Sequence, residues 1–197
     1  MLTFKNYNIA DWFSFYRILA APFLLILLWF DVREIFSWFL LISYSTDMID
    51  GFLARKLKIT SARGSQLDSF GDQITLLIGL VGLWVFESEF ILHNLIIIII
   101  AFVPYLIQMV LAYSKYNKAT AFHTYLAKTS ALIQGVFILA SLFFTPYYPL
   151  FYIMIAIGLL ETIEEISLIF MYDNWASDVK GIYWAFRDKR RIKKKTE

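Results

Sequence analysis

Four aspartates stand between residues 47 and 72, at the boundary between two apolar runs of the chain. Asp47 and Asp50 are three positions apart, and Asp68 and Asp72 are four apart. Either spacing places a pair on one face of a helix. If two antiparallel helices carry the pairs, all four carboxylates can point into one pocket. Carboxylates held so close repel one another, so they cannot all stay ionised unless positive charge lies among them. Either their pKa values rise or the site binds cations.

Oxygen ligands with no His or Cys nearby suit hard divalent ions such as Mg²⁺, Mn²⁺ or Ca²⁺. Two such ions held by carboxylates are a common arrangement for phosphoryl chemistry. Arg55 can bind phosphate oxygens as a fork, while Gly51 and Ala54 leave room for a bulky group near the helix. Scattered solvated charge explains any one aspartate, but it does not explain four at helical spacing with small residues and an arginine between them.

The composition indicates an integral membrane protein. Of the 197 residues, 59% are hydrophobic and only 17% are charged, whereas a soluble domain is about half apolar and a quarter charged. The chain has no cysteine, which excludes disulfides, thiol catalysis and thiolate metal sites.

Six apolar runs predict six transmembrane helices, because runs such as LIIIIIAFV do not alternate as membrane strands would. All but one of the 18 Lys and Arg residues fall at the termini, near the start of the first run, or in the stretches 55–63 and 115–128. The exception, Arg33, lies in a connection on the other side. Basic connections are cytoplasmic, so we predict an all-α polytopic fold with both termini in the cytoplasm. The six runs are 12–30, 32–53, 68–88, 91–112, 126–144 and 148–171.

Two regions follow from this organisation: a six-helix membrane domain over residues 1–172, and a cytoplasmic interfacial segment with a basic tail over 173–197. The stretch 173–186 mixes aromatic and charged residues, which suits an interfacial helix. The tail RDKRRIKKK (187–195) carries seven basic residues and is interpreted as an anchor on anionic lipid rather than a nucleic acid site.

The motif also resembles that of a known family. The pattern Asp47-x2-Asp50-Gly51-x2-Ala54-Arg55-x8-Gly64-x3-Asp68-x3-Asp72 matches the signature of the CDP-alcohol phosphatidyltransferases. The start of the chain, NIADWFSFYRILAAP, is similar to the family's N-terminal pattern. The matching positions there are Asn8, Ser14 in place of Thr, Arg17 and Pro22.

The resemblance implies an enzyme that binds CDP-diacylglycerol and a small alcohol, whose hydroxyl attacks the lipid-side phosphorus and releases CMP. By position, Asp47, Asp50, Asp68 and Asp72 would hold two divalent ions, Mg²⁺ or Mn²⁺. Asp72 would also be the general base. The resemblance further implies a homodimer within the membrane. The basic connections predict an inner (cytoplasmic) membrane protein whose active site faces the cytoplasm. The residues that would line the CDP site are Gly51, Ala54, Arg55, Ser61 and Gly64.

The acceptor alcohol is less well indicated. Phosphatidylglycerophosphate synthases of this family often carry G-K-x-K-T-x-x-Q at the fifth span. Here Lys128 and Gln134 are kept, but Ser130 and Ala131 replace the second Lys and the Thr. Near the last aspartates, Gln73 stands where those enzymes tend to have Lys. A phosphorylated acceptor is therefore less strongly indicated, because its phosphate dianion requires fixed positive charge and two of the lysines that could supply it are missing. The cations that remain as candidate phosphate binders are Arg17, Arg63, Lys115, Lys118 and Lys128.

Three glutamates in the last apolar run, Glu161, Glu164 and Glu165, are unusual because charge inside a span is costly. One interpretation is ion pairing to Arg17 or Lys128 in neighbouring spans. The other is an acceptor pocket, in which Glu161 and Glu164 accept hydrogen bonds from hydroxyls or pair with an amine.

The leading hypothesis is therefore a phosphatidyltransferase with glycerol 3-phosphate as the default acceptor. Inositol, inositol phosphate, or another polyol or amino alcohol is the alternative acceptor. A divalent-cation transporter is the alternative of a different class, but its carboxylates should lie near the bilayer centre. Here they lie at one edge, next to Arg55.

Overall fold

The computed structural model describes residues 9–57 and 62–187, and every structural statement below concerns these ranges. Inside them, some side chains fall outside the description, namely those of residues 9–11, 13–14, 47–48, 50–57 and 62–69. Seven helices lie in the described ranges: α1 (Ile9–Trp29), α2 (Arg33–Leu57), α3 (Ala62–Phe86), α4 (Ser88–His93), α5 (Leu95–Tyr116), α6 (Tyr125–Phe143) and α7 (Tyr148–Met171).

The all-α prediction is confirmed for this part of the chain, where no β-strand forms and one isolated bridge joins Ala121 to Ser177. The six long helices follow the six apolar runs, but their ends differ. α2 continues to Leu57, beyond the predicted end of its apolar run at 53, and α3 begins at Ala62, before the predicted start at 68. The charged residues of the motif are therefore part of the helices. The fourth run begins with the separate short helix α4 before α5.

Two helices, α5 and α6, are long and apolar enough to cross a membrane. Only 11% of the apolar window of α5 is buried inside the protein, and Ile96 and Val110 are among its exposed side chains. Exposed apolar faces of this extent are disfavoured in water and suit contact with lipid.

The chain divides into two compact units, of which the first comprises the residues up to Ile91 together with Ile138–Pro146. In this unit α1 packs on both α2 and α3, and α2 packs on α3. Phe36 of α2 is fully buried, with its ring 5.6 Å from that of Phe86 on α3. Packing of this kind brings the end of α2 and the start of α3, which carry the aspartates, into the same unit as α1.

The second unit comprises Leu92–Phe137 and the residues from Tyr147 onward. α5 packs on α7 around a buried cluster of Ala112, Phe122, Leu168, Ile169 and Ala185. α5 ends where Asn117 adopts the left-handed conformation, with its N–H bonded to Tyr113 O, a common helix terminator.

Residues 172–187, called here the C-terminal strap, run along the loop that joins α5 to α6. Trp175 Nε1 donates to Ala119 O at 3.0 Å, and Asp178 N donates to Ala121 O at 3.2 Å. Lys118 Nζ lies 3.7 Å from the centroid of the Trp175 ring. The helix expected over 173–186 is therefore shorter: residues 172–181 of the strap are irregular, and helix begins at Ile182.

Candidate active site

An ion pair between α1 and α3 is the centre of the candidate site. Arg17 of α1 is 2% exposed, and its Nη1 donates to Oδ1 of Asp72 on α3. A buried guanidinium is strongly disfavoured without an anionic partner. The Asp72 side chain itself remains 48% exposed, so one carboxylate is both fixed by a buried cation and accessible to solvent or a substrate.

Gly71 makes room for this pair. A Cβ atom at position 71 would lie 3.3 Å from Arg17 Nε and 3.4 Å from its Cζ. That separation is tighter than most carbon contacts, so a larger residue here would displace the guanidinium. The carbonyl of Gly71 accepts a hydrogen bond from Thr75 Oγ1 at 2.8 Å.

All four aspartates of the motif lie on helical backbone. Asp47 and Asp50 belong to the last turns of α2, and Asp68 and Asp72 to the first turns of α3. The two helices pack against each other, and four undescribed residues, 58–61, separate their ends. The helical spacing on which the prediction depends is therefore present on both helices.

The metal set itself remains a prediction. The side chains of Asp47, Asp50 and Asp68 lie outside the described residues. Among the side chains that the structure does describe, no three His, Asp or Glu residues lie close enough to hold a metal ion together. Of the four aspartates, Asp72 alone has a described side chain.

The predicted CDP site lies on the same two helices. Gly51, Ala54 and Arg55 are on α2, and Gly64 is on α3. Their side-chain environments lie outside the described residues, as does the whole of Ser61. Arg63, a candidate for binding the acceptor, is on α3 and its side chain is likewise undescribed.

Three polar candidates for binding the acceptor lie in the second unit. Lys115 Nζ donates to Ile169 O at 2.8 Å and lies 4.0 Å from the exposed carboxylate of Asp173. Lys128 is exposed on α6, while Gln134 Nε2 donates to Ser130 Oγ at 3.3 Å.

Two glutamates of α7, Glu164 and Glu165, accept hydrogen bonds from neutral donors. Glu165 is 8% exposed, and its Oε2 accepts from Gln108 Nε2 at 2.7 Å and from Thr120 Oγ1 at 2.6 Å. Glu164 Oε1 accepts from the backbone N–H of Ile182 at 3.0 Å. The expected ion pairing with Arg17 or Lys128 is not seen at Glu164 Oε1 or Glu165 Oε2, whose donors are backbone, amide and hydroxyl groups. Arg17 pairs with Asp72 instead.

The sequence reasoning missed two polar residues of this network, Gln108 and Thr120. A signal was available for one of them, since Gln108 is the sole polar side chain in the middle of the apolar run of α5. A polar residue in such a run usually faces a partner within the protein. Thr120 lies in a loop, where its hydroxyl carries no such signal.

Comparison with known proteins identifies the family. The family model of the CDP-alcohol phosphatidyltransferases matches residues 7–173. A CDP-diacylglycerol–glycerol-3-phosphate 3-phosphatidyltransferase from Wigglesworthia glossinidia brevipalpis is 30% identical in an alignment 187 residues long, which covers 92% of this chain and 96% of that protein.

A shorter match joins the chain to a cardiolipin synthase (CMP-forming)/mitochondrial hydrolase fusion protein from Schizosaccharomyces pombe. It is 31% identical over 67 residues, which are 34% of this chain and 11% of that protein. None of the solved structures gives a significant match. The family match covers the aspartate motif and all six long helices. The chain therefore belongs to the CDP-alcohol phosphatidyltransferase family.

Proposed function

We propose that this enzyme transfers the phosphatidyl group of CDP-diacylglycerol to glycerol 3-phosphate and releases CMP. The observation that carries this choice of acceptor is the similarity, over 92% of the chain, to a relative named for that reaction. The accessible carboxylate of Asp72, held on the buried Arg17, supplies the base that the reaction requires.

In the proposed mechanism, Asp72 takes the proton from the acceptor hydroxyl as that oxygen attacks the lipid-side phosphorus. The bond from phosphorus to the CMP oxygen breaks, and CMP leaves with the electron pair. A general base must lie within hydrogen-bond reach of the proton that it removes, so its orientation matters. Arg17 fixes that orientation and is a positioning residue. No covalent enzyme intermediate is required.

The donor set of the motif fits two divalent ions, Mg²⁺ or Mn²⁺. Carboxylate oxygens are the preferred ligands of these ions, and the backbone places Asp47, Asp50, Asp68 and Asp72 on the adjoining ends of two packed helices. When bound, such ions neutralise phosphate charge and stabilise the attacking and leaving oxygens. We propose that these four residues hold the ions.

The CDP moiety is proposed to lie along α2 and the start of α3. Arg55 would bind phosphate oxygens, and the small residues Gly51, Ala54 and Gly64 would let the nucleotide approach the helices closely. Ser61, in the connection between them, would contribute a hydroxyl. The support is their position in the family motif together with the packing of α2 on α3.

For the acceptor phosphate, the proposed cations are Arg63, Lys115 and Lys128, with Gln134 as a hydrogen-bonding partner. Arg17 was also a candidate, but its burial and its pairing with Asp72 favour the positioning role. A polyol or amino-alcohol acceptor is the second candidate function. Glu161 and Glu164 support that alternative, since carboxylates bind hydroxyls and ammonium groups but repel a phosphate dianion.

We further propose that all six long helices span the cytoplasmic membrane, with both termini and the aspartate site on the cytoplasmic side. Lys and Arg asymmetry supports the orientation, and the apolar character of α5 and α6 supports insertion. The active form is proposed to be a homodimer in the bilayer, as the family resemblance implies. A divalent-cation transporter, the alternative of a different class, has no support from the comparisons.

An acceptor panel tests the proposal. Purified full-length protein is given CDP-diacylglycerol, Mg²⁺ and one of glycerol 3-phosphate, inositol, inositol phosphate, serine or ethanolamine, and the lipid product is identified by mass. We expect phosphatidylglycerophosphate and one CMP per lipid formed. Chelation with EDTA should abolish both, and added Mg²⁺ or Mn²⁺ should restore them. Product from another alcohol alone would reject the acceptor, and turnover in EDTA would reject the metal assignment.

A further inference from the structure

The second unit contains a pocket that the proposed reaction does not use. It has a volume of about 350 Å³ and lies between the first turns of α6, one face of α7 and the C-terminal strap. Three aromatic side chains line it, those of Tyr125, Tyr183 and Trp184, together with the charged residues Glu164 and Lys180. Its volume is in the range of sites that bind small organic ligands.

The strap is shaped around the Glu164 carboxylate. The N–H of Ile182 donates to Glu164 Oε1 at 3.0 Å, which fixes the orientation of the carboxylate. Gly181 has a φ of 152°, a conformation that favours glycine. A Cβ at that position would lie 3.1 Å from the same oxygen. Glycine at 181 therefore allows the backbone to approach and hold the carboxylate.

The second oxygen of this carboxylate lacks a donor. Glu164 Oε2 is buried and receives no hydrogen bond from any residue that the structure describes. A buried acceptor without a donor is costly, and more so when it is charged. Glu164 is one of the residues that line the pocket. A ligand there with a positive charge and an N–H group would compensate the negative charge and offer a donor to this carboxylate.

The aromatic wall favours the same kind of ligand. The Trp184 ring centroid lies 5.6 Å from that of Tyr125 and 5.5 Å from that of Tyr183, which it meets edge to face. Aromatic faces attract ammonium groups through their quadrupoles. Lys180, the basic side chain among the described residues lining the pocket, would in turn attract an anion attached to that ammonium.

We propose that this pocket binds a phosphoammonium group, with Glu164 and the aromatic side chains on the ammonium and Lys180 on the phosphate. This chemistry occurs in the headgroup of a zwitterionic phospholipid and in a free phosphorylated amino alcohol. The oxygen that could react is esterified in both, so neither is an acceptor for phosphatidyl transfer. The proposal therefore assigns Glu164 to a site separate from the acceptor site and does not rest on the identity of the acceptor.

The test uses purified full-length protein in a nonionic detergent and three probes: dihexanoyl phosphatidylethanolamine, dihexanoyl phosphatidylglycerol and free phosphoethanolamine. Binding is measured by native mass spectrometry and by equilibrium titration. We expect one equivalent of the ethanolamine lipid to bind at least about 10-fold more tightly than the glycerol lipid, a difference of about 1.4 kcal/mol. If the free compound competes equally well, the ligand is soluble; if only the lipid binds, it is a membrane headgroup.

Glu164→Gln is the decisive variant. Its amide oxygen can still accept from Ile182 N–H, which keeps the strap in place, while the charge is removed. We expect it to lose the preference for the ethanolamine lipid. Glu34→Gln, at an exposed position on α2, removes an equal charge elsewhere and should bind as the parent does.

A second variant separates lost binding from lost structure. Lys180→Gln should weaken binding of both short-chain lipids by a similar factor and leave the ammonium preference unchanged. Trypsin cleavage at Lys180 reports the docking of the strap, and Glu164→Gln should not accelerate it. Equal affinity of the parent and Glu164→Gln for the ethanolamine lipid would overturn the proposal. So would equal binding of the two lipids by the parent, or binding of none of the three probes.

Discussion

At the scale of single residues, the site depends on how a carboxylate and a buried guanidinium fix each other. Arg17 and Asp72 are separated by 55 positions in the sequence. They are in contact because α1 packs on α3. Spacing within the motif predicts that Asp72 lies on a helix face with Asp68. It carries no information about a partner on another helix, so the role of Arg17 could not be predicted from the sequence.

The first prediction concerns Gly71→Ala. The added methyl group would meet the Arg17 guanidinium at 3.3 Å, so Arg17 must move by a few tenths of an ångström and Asp72 with it. Small displacements of a catalytic group reduce the rate strongly. We expect kcat to fall roughly 10-fold while KM for CDP-diacylglycerol changes little.

The control is Gly158→Ala on α7, where the nearest atom to a new Cβ is Ser130 Oγ at 3.9 Å. Both substitutions introduce alanine into a helix, which by itself favours helix by about 1 kcal/mol. If the two variants had the same kcat, the close approach of Gly71 to Arg17 would have no part in catalysis.

At the scale of helices, the one basic residue on the predicted non-cytoplasmic side has a structural role. Arg33, the first residue of α2, donates to the carbonyls of Ser141, Leu142 and Phe144 at 2.8–2.9 Å. It also donates to Glu87 Oε1 at 2.5 Å. These carbonyls lie at the C-terminal end of α6, where helical hydrogen bonding leaves them without partners. Arg33 therefore caps α6 and ties α2 to it.

The second prediction is that Arg33→Ala destabilises the protein by about 2–3 kcal/mol, because it leaves the α6 carbonyls and the carboxylate of Glu87 without this donor. Thermal unfolding in detergent measures the loss. Glu34→Ala, the exposed neighbour on the same helix, is the matched control and should unfold at the temperature of the parent. An unchanged unfolding temperature for Arg33→Ala would contradict the capping role.

The positions of the six long helices could be predicted because apolar runs and helices coincide over most of their length. Their ends could not, because helix continues through the charged motif, where hydropathy has already fallen. The irregular path of the strap also escaped prediction. Its aromatic and charged residues suit an interfacial helix, but residues 172–181 follow an irregular path, held by contacts such as that of Trp175 with Ala119 O. Those contacts exist because the loop between α5 and α6 lies next to this segment. The sequence of the segment itself does not indicate which loop will be its neighbour.

At the scale of the whole molecule, the proposed reaction requires a membrane, with the basic residues mainly on one side of it. The exposed apolar face of α5 would be unfavourable in water and is suited to contact with lipid. Of the 18 basic residues, 17 fall in stretches predicted to face the cytoplasm. A nucleotide-linked lipid has a water-soluble head and a membrane-bound tail. An aspartate site at the ends of α2 and α3, which we propose to face the cytoplasm, would receive both parts.

The third prediction uses the absence of cysteine from the sequence, since one introduced thiol then reports its own position. Ala119→Cys lies in the loop between α5 and α6, and Thr145→Cys in the connection between α6 and α7. With a membrane-impermeant maleimide on intact bacterial cells, we expect labelling at position 145 and none at 119. Inside-out vesicles should show the reverse. Labelling of both positions from the same side would contradict the predicted topology.

The most direct test of the account is CMP release from CDP-diacylglycerol with glycerol 3-phosphate, compared between the parent, Asp72→Asn and Asp31→Asn. Asp31 is exposed between α1 and α2 with a φ of 56°, a conformation that asparagine accepts readily. We expect one CMP per phosphatidylglycerophosphate for the parent and for Asp31→Asn. Asp72→Asn should fall at least about 100-fold in rate. It should also unfold at a lower temperature, because the buried Arg17 loses its anionic partner, so the rates are compared well below that temperature. Full activity of Asp72→Asn, or no CMP release by the parent, would contradict it.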